Sequence, residues 1–109
     1  MSKRLRKYAN VLRALQSASP AKRLAYMKRI KDKGFMSCLC ECARNVIKGN
    51  VKVTPAQRKA IVKRKKLFKK FVLKKTSLKN KKKIVQTGGF IGALLGPIAA
   101  LLGGLLGGS

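Results

Sequence analysis

The chain has 109 residues, room for one small domain, and sets 28 Lys and Arg against 2 acids for a net charge of +26. All of those bases fall within residues 1–83, and a compact fold so charged repels itself until a polyanion neutralises it. That balance argues for nucleic acid first and an anionic membrane surface second, while apolar residues interleaved with the charges argue against a disordered basic tail.

The N-terminal stretch places Leu5, Tyr8, Leu12 and Leu15 at helical spacing, with Lys3, Arg4, Arg6 and Lys7 set against them. A basic helix pattern at this end is not that of a secretory leader. Ser19-Pro20 predicts a stop and a restart, because Ser19 can cap a helix and Pro20 suits its first position. Leu24, Met27 and Ile30 then make one stripe of a second helix that carries Lys22 and Arg23 and ends at Gly34. A third helix follows in "FMSCLCECARNVIKGN", with Phe35, Leu39, Ala43, Val46 and Ile47 on one face. Gly49 or Asn50 can end it, since both tolerate the left-handed conformation. It is the least charged stretch of the basic region and the predicted centre of its core.

"VTPAQRKAIVKRKKLFKKFVLKK" opens on the clearest start signal of the chain. Thr54 caps, Pro55 takes the first helical position, and Gln57 completes a capping box. Ile61, Leu67, Phe68, Phe71 and Val72 supply its apolar side. Arg58, Lys59, Lys63, Arg64, Lys65, Lys66, Lys69 and Lys70 crowd the rest, and Lys74 and Lys75 follow. Ser77 offers another cap before Lys79, Lys81, Lys82 and Lys83. The expected fold is all-α: a small bundle of three to four short basic amphipathic helices over residues 1–83. A linker at 84–89 and a hydrophobic Gly- and Leu-rich helix or tail at 90–109 complete it.

Catalysis finds little support, because general acid–base work needs a titratable group matched to its task. The chain offers Asp32, Glu41, Tyr8, Tyr26 and the thiols of Cys38, Cys40 and Cys42, with no histidine to make a thiol–imidazole pair. Three cysteines at alternate positions on a helix make neither a disulfide framework nor a four-ligand zinc site, and read as buried thiols. No metal or other cofactor is expected. Polyanion binding is the strong signal: a net charge of +26 matches the phosphates of roughly 13 base pairs of duplex DNA. Lys outnumbers Arg 20 to 8, and lysine is a point charge rather than a bidentate reader of guanine. The bases named above in the first, second and fourth helices and at 74–83 are therefore the candidate DNA-binding set, for sequence-independent neutralisation. "KRKK" at 63–66 and "KNKKK" at 79–83 also fit nuclear localisation.

Residues 90–109 are uncharged and would span about 30 Å as a helix, the thickness of a bilayer core. Gly92 and Gly96 make one GxxxG step, and Gly103 and Gly107 another. Six glycines and Pro97 in this segment argue against a robust anchor. They leave a membrane-perturbing or interfacial peptide, or a buried helix that completes the small core.

Gln86-Thr87-Gly88-Gly89 before Phe90 resembles the Gly-Gly sites that adenovirus-type cysteine proteases cut in virion precursors, with Gln where Met, Ile or Leu is usual. The order of basic segment, Gly-Gly and apolar tail is similar to that of the adenovirus precursor core protein X. "LQSASPAKR", "CECARNVIKGNVKVTPAQRK" and "KKIVQTGGFIGALLGPI" resemble the small basic PX-type proteins of adintoviruses and Maverick/Polinton virus-like DNA transposons. The resemblance implies a virion core protein, in the host nucleus during assembly, that condenses double-stranded DNA and is cut after Gly89 by the element's cysteine protease. The adenovirus protein is Arg-rich and barely structured, whereas amphipathic helices and a cysteine-bearing core are expected here. Two alternatives stand beside it: a membrane-active minor capsid protein working through residues 90–109, and a helix-turn-helix regulator that reads specific DNA.

Overall fold

A computed structural model of the chain describes residues 3–87 and 89–106, with side chains through residue 99. Seven helices and no strand occur among the described residues: α1 (Lys3–Ser17), α2 (Pro20–Arg29), α3 (Lys33–Ile47), α4 (Pro55–Lys63), α5 (Lys65–Val72), α6 (Leu78–Val85) and α7 (Phe90–Leu106). The radius of gyration is 12.8 Å, close to the roughly 13 Å of a compact 100-residue domain.

The start signals act as their chemistry demands. Ser19 Oγ accepts from the Lys22 N–H, Ser77 Oγ accepts from the Asn80 N–H, and Thr54 with Gln57 forms the reciprocal capping box. Gly49 takes φ 78° just beyond α3, the left-handed turn a β-carbon would oppose.

Six helices, not three or four, precede α7, and the difference has two sources. The stretch from Pro55 to Val72 is broken at Arg64, whose φ of −113° and ψ of 23° end α4 and begin α5. The break sends α4 against α7 and α5 against α3. Beyond Ser77, α6 is a separate element that packs on α3. The end of the second helix also differs. α2 stops at Arg29, and Gly34 lies in the first turn of α3 because Asp32 caps that helix.

Asp32 Oδ1 accepts from the N–H of Gly34 (2.8 Å) and of Phe35 (3.2 Å), and Oδ2 accepts from the Tyr8 hydroxyl (2.9 Å). Gly34 is needed at this joint, since a β-carbon there would collide with the Tyr8 hydroxyl. The Tyr8 bond, the two backbone N–H groups and nearby Lys7 hold the Asp32 carboxyl below its ordinary value of 3.8. A carboxyl depressed by folding stabilises the fold above its unfolded value, and that contribution is lost as pH falls through the folded value. Urea unfolding of Asp32→Asn should accordingly show a flatter fall of stability on acidification than the parent chain. Identical acid limbs in the two proteins would take Asp32 out of this account.

One core holds the helices together. Leu5, Tyr8, Leu12 and Leu15 of α1, Met27 of α2, and Phe35, Leu39, Ala43 and Val46 of α3 are all buried in it. The predicted stripes are thus on the inside, except that Leu24 and Ile47 are exposed. Among the described residues α3 supplies eight side chains to this core and α7 six, of which Phe90, Leu94 and Ile98 are fully buried and Ile91 and Leu95 nearly so. Apolar on every side, this helix packs on α1, α3, α4 and α6 as a central core element. Phe90 sits 4.8 Å from Phe68 and 5.2 Å from Phe71, ring centre to ring centre. Gln16 Nε2 donates to the Leu95 carbonyl (2.9 Å), which ties α1 to α7.

Candidate polyanion interface and the Gly-Gly junction

Each basic helix that buries an apolar stripe must turn its lysines outward. On α1, Lys3, Arg4, Arg6 and Lys7 are exposed, and on α2 so is Lys22. Across α4 and α5, Arg58, Lys59, Lys63, Lys65, Lys66, Lys69 and Lys70 are exposed, as are Lys74, Lys75, Lys79 and Lys83 after them. Lys81 and Lys82 are half-buried. These exposed bases are carried by α1, α2, α4, α5 and α6 and by the turn after α5.

Two of the candidate arginines are engaged inside the fold. Arg23 donates from Nε to the Leu15 carbonyl (2.7 Å) and from Nη2 to the Gln16 carbonyl (2.8 Å), satisfying the orphan end of α1. Arg64 donates from Nη1 to the Ala60 carbonyl (3.2 Å), and its guanidinium lies against Gly89. Both are half-buried. Each bonds carbonyls in the last turn of the helix before it, Leu15 and Gln16 of α1 and Ala60 of α4.

Tertiary packing also brings together cations absent from the sequence-based set. Lys33 and Arg44 of α3 join Arg4 of α1 and Lys81 of α6 around an open cleft of about 430 Å³ that also includes Ser37. Arg44 Nη2 donates to the Val72 carbonyl (3.3 Å), which orients the guanidinium at the end of α5. A cleft lined by four cations is suited to phosphate oxygens, each able to take charge-assisted hydrogen bonds.

The three thiols are buried. The Cys40 thiol donates to the Phe71 carbonyl (3.5 Å), and burial pushes its pKa up even though Lys81 lies beside it. A hydrogen bond with Cys38, then burial, holds Cys42 protonated far above the ordinary thiol range. For Cys40 and Cys42 these are the properties of inert core thiols, whereas the hydrogen bond with Cys42 lowers the Cys38 thiol's pKa. Among the described residues no cluster of three or more His, Cys, Asp or Glu side chains is placed to hold a metal.

At the junction, Gln86 ends α6 with its N–H on the Lys82 carbonyl, and Thr87 Oγ1 donates to the Lys83 carbonyl (3.1 Å). Gly88 lies outside the described residues. Gly89 is exposed with φ 82°, and the very next residue, Phe90, is fully buried. The bond named as a cleavage site thus joins the surface directly to the core. No helix among the described residues is long and apolar enough to cross a membrane, and through Ile98 the apolar side chains of α7 face the bundle. Residues 107–109, with Gly107 of the second GxxxG step, lie outside the described residues. No family model matches the chain, and neither a curated protein nor a solved structure matches it.

Proposed function

We propose that the chain is a non-enzymatic core protein that neutralises and condenses double-stranded DNA without regard to sequence. The observation that carries this reading is a net charge of +26 with two acids, displayed on exposed faces of successive helices. A regulator reading one site would concentrate its bases on one recognition helix and its flanks. Here α1, α4, α5 and α6 all present lysines, an arrangement suited to bridging several duplex segments. Binding to random-sequence duplex across a salt series tests it: affinity should collapse as salt rises, and one DNA sequence competing far better than random DNA would favour the regulator instead.

The particle setting, a virion core assembled in the host nucleus, draws on the resemblance to PX-type proteins and on the two lysine runs. In this reading a virus-type cysteine protease cuts between Gly89 and Phe90. A protease must draw substrate into an extended strand, and here the residue after the bond is anchored in the core. Cleavage should therefore wait on opening of the first turn of α7. Mass spectrometry of the chain co-expressed with the element's protease should find a cut after Gly89, and Phe90→Ala should be cut several-fold faster. A chain that stays intact in both forms would overturn the maturation step.

A further inference from the structure

Condensing DNA calls for exposed charge, yet one side of the molecule pairs exposed charge with exposed apolar surface. Where the end of α3 meets the segment after Gly49 and the turn from α4 to α5, a groove of about 590 Å³ opens to solvent. Val46 and Val51 form its inner side and Phe68 its floor, all buried, while Val53 and Ile61 are half-buried in its walls. Its lips are apolar as well: Ile47 is 42% exposed and Val62, at 63%, is the most exposed of the large hydrophobic side chains among the described residues. Around this strip stand Lys52, Arg58, Lys65 and Lys69, all exposed. Phosphate backbones give nothing to an apolar strip, so DNA binding leaves Ile47 and Val62 unexplained.

We infer that this groove is a docking site for an acidic amphipathic helix of a partner protein, which lays its apolar face on Val62, Ile47 and Ile61 and its carboxylates on the four surrounding bases. Charge complementarity selects this occupant. A second copy of the chain would bring like charge to like charge, and a basic or neutral helix would leave the cationic rim unpaired. A helix lying in an apolar groove, anchored every three or four residues, is a recurrent mode of peptide recognition. Arg58, Lys65 and Lys69 also belong to the proposed DNA-binding set, so the docked helix and DNA compete for three cations. Such a partner would hold this side of the protein away from DNA until displaced.

The test uses the full chain and a synthetic helical peptide with leucines along one face and glutamates along the other, beside a scrambled peptide of identical composition. Titrated by fluorescence anisotropy, the patterned peptide should bind about tenfold more tightly than the scrambled one. Val62→Lys is the decisive variant, because it adds a cation while removing the apolar lip at a position too exposed to disturb the core. A docking groove predicts about tenfold weaker binding of the patterned peptide. Attraction by charge alone predicts equal or tighter binding, and that result, or equal affinity for the two peptides, overturns the inference. DNA affinity of the same variant should be unchanged or slightly raised, which keeps this outcome separate from that of the DNA reading.

Discussion

Ending the chain at Gly89 is expected to leave residues 1–89 without a cooperative unfolding transition. The lost segment carries Phe90, Ile91, Leu94, Leu95 and Ile98, each no more than 5% exposed. Burial of such a side chain contributes about 1.5–3 kcal/mol. Five of them together reach the scale of the whole net stability of a small domain, about 5–15 kcal/mol. Their removal would also open Phe68, Phe71 and Leu12, now fully buried, to water. Self-repulsion among the 28 bases, all of which remain, would add to the loss. Urea titration followed by circular dichroism at 222 nm checks the point. A single truncation, Phe90→Ala, should cost about 3–5 kcal/mol, as expected for an aromatic ring lost from a tight core. A truncated chain that melts as sharply as the parent would mean that α7 is an accessory rather than a core helix. Under the proposed maturation the same arithmetic gives the cut a physical meaning. Severing Gly89 from Phe90 would release the covalent hold on the central helix and free a polycation to mould itself to DNA.

The second large effect concerns salt. Each phosphate neutralised by a lysine or arginine releases condensed counterions, so the logarithm of affinity falls with the logarithm of salt concentration by about 0.9 per contact. If roughly 6–10 phosphates are engaged, affinity for random duplex should drop about 10³–10⁵-fold between 50 and 200 mM salt. Replacing Lys59, Lys63, Lys66 and Lys70 together by Gln should flatten the salt slope by about one unit per residue that touched a phosphate. These four are exposed and lie outside the apolar groove, so stability should hold or rise as like charges are removed. Arg23→Gln should behave in the opposite way. It strips hydrogen bonds from the Leu15 and Gln16 carbonyls, so its main effect should be on stability, with the slope little changed. Affinity that stays constant between low and high salt would end the DNA-condensing reading.

The sequence by itself determined that the chain is helical and where three of its described helices begin. Ser19-Pro20, Thr54-Pro55-Gln57 and Ser77 are local signals, complete within four residues, and each starts a helix in the structure. It also determined which stripes are apolar, because 3.6-residue periodicity is written along the chain itself. The polycationic character likewise needs no fold. Only the tertiary structure decided what lies beyond local reach. The break at Arg64, which lets α4 pack on α7 and α5 on α3, is marked by no nearby residue that forbids a continuous helix. Arg23 and Arg64 became internal caps on carbonyls four to eight residues upstream, while most lysines of the same stretches are exposed. The cleft of Arg4, Lys33, Arg44 and Lys81 joins residues up to 77 positions apart (Arg4 to Lys81). Finally, the uncharged segment after Gly89 is compatible by composition with a membrane or with a core, since both are apolar surroundings. The basic helices bury a core of their own from Leu5 to Val85, and α7 packs into that same core through Phe90, Leu94 and Ile98.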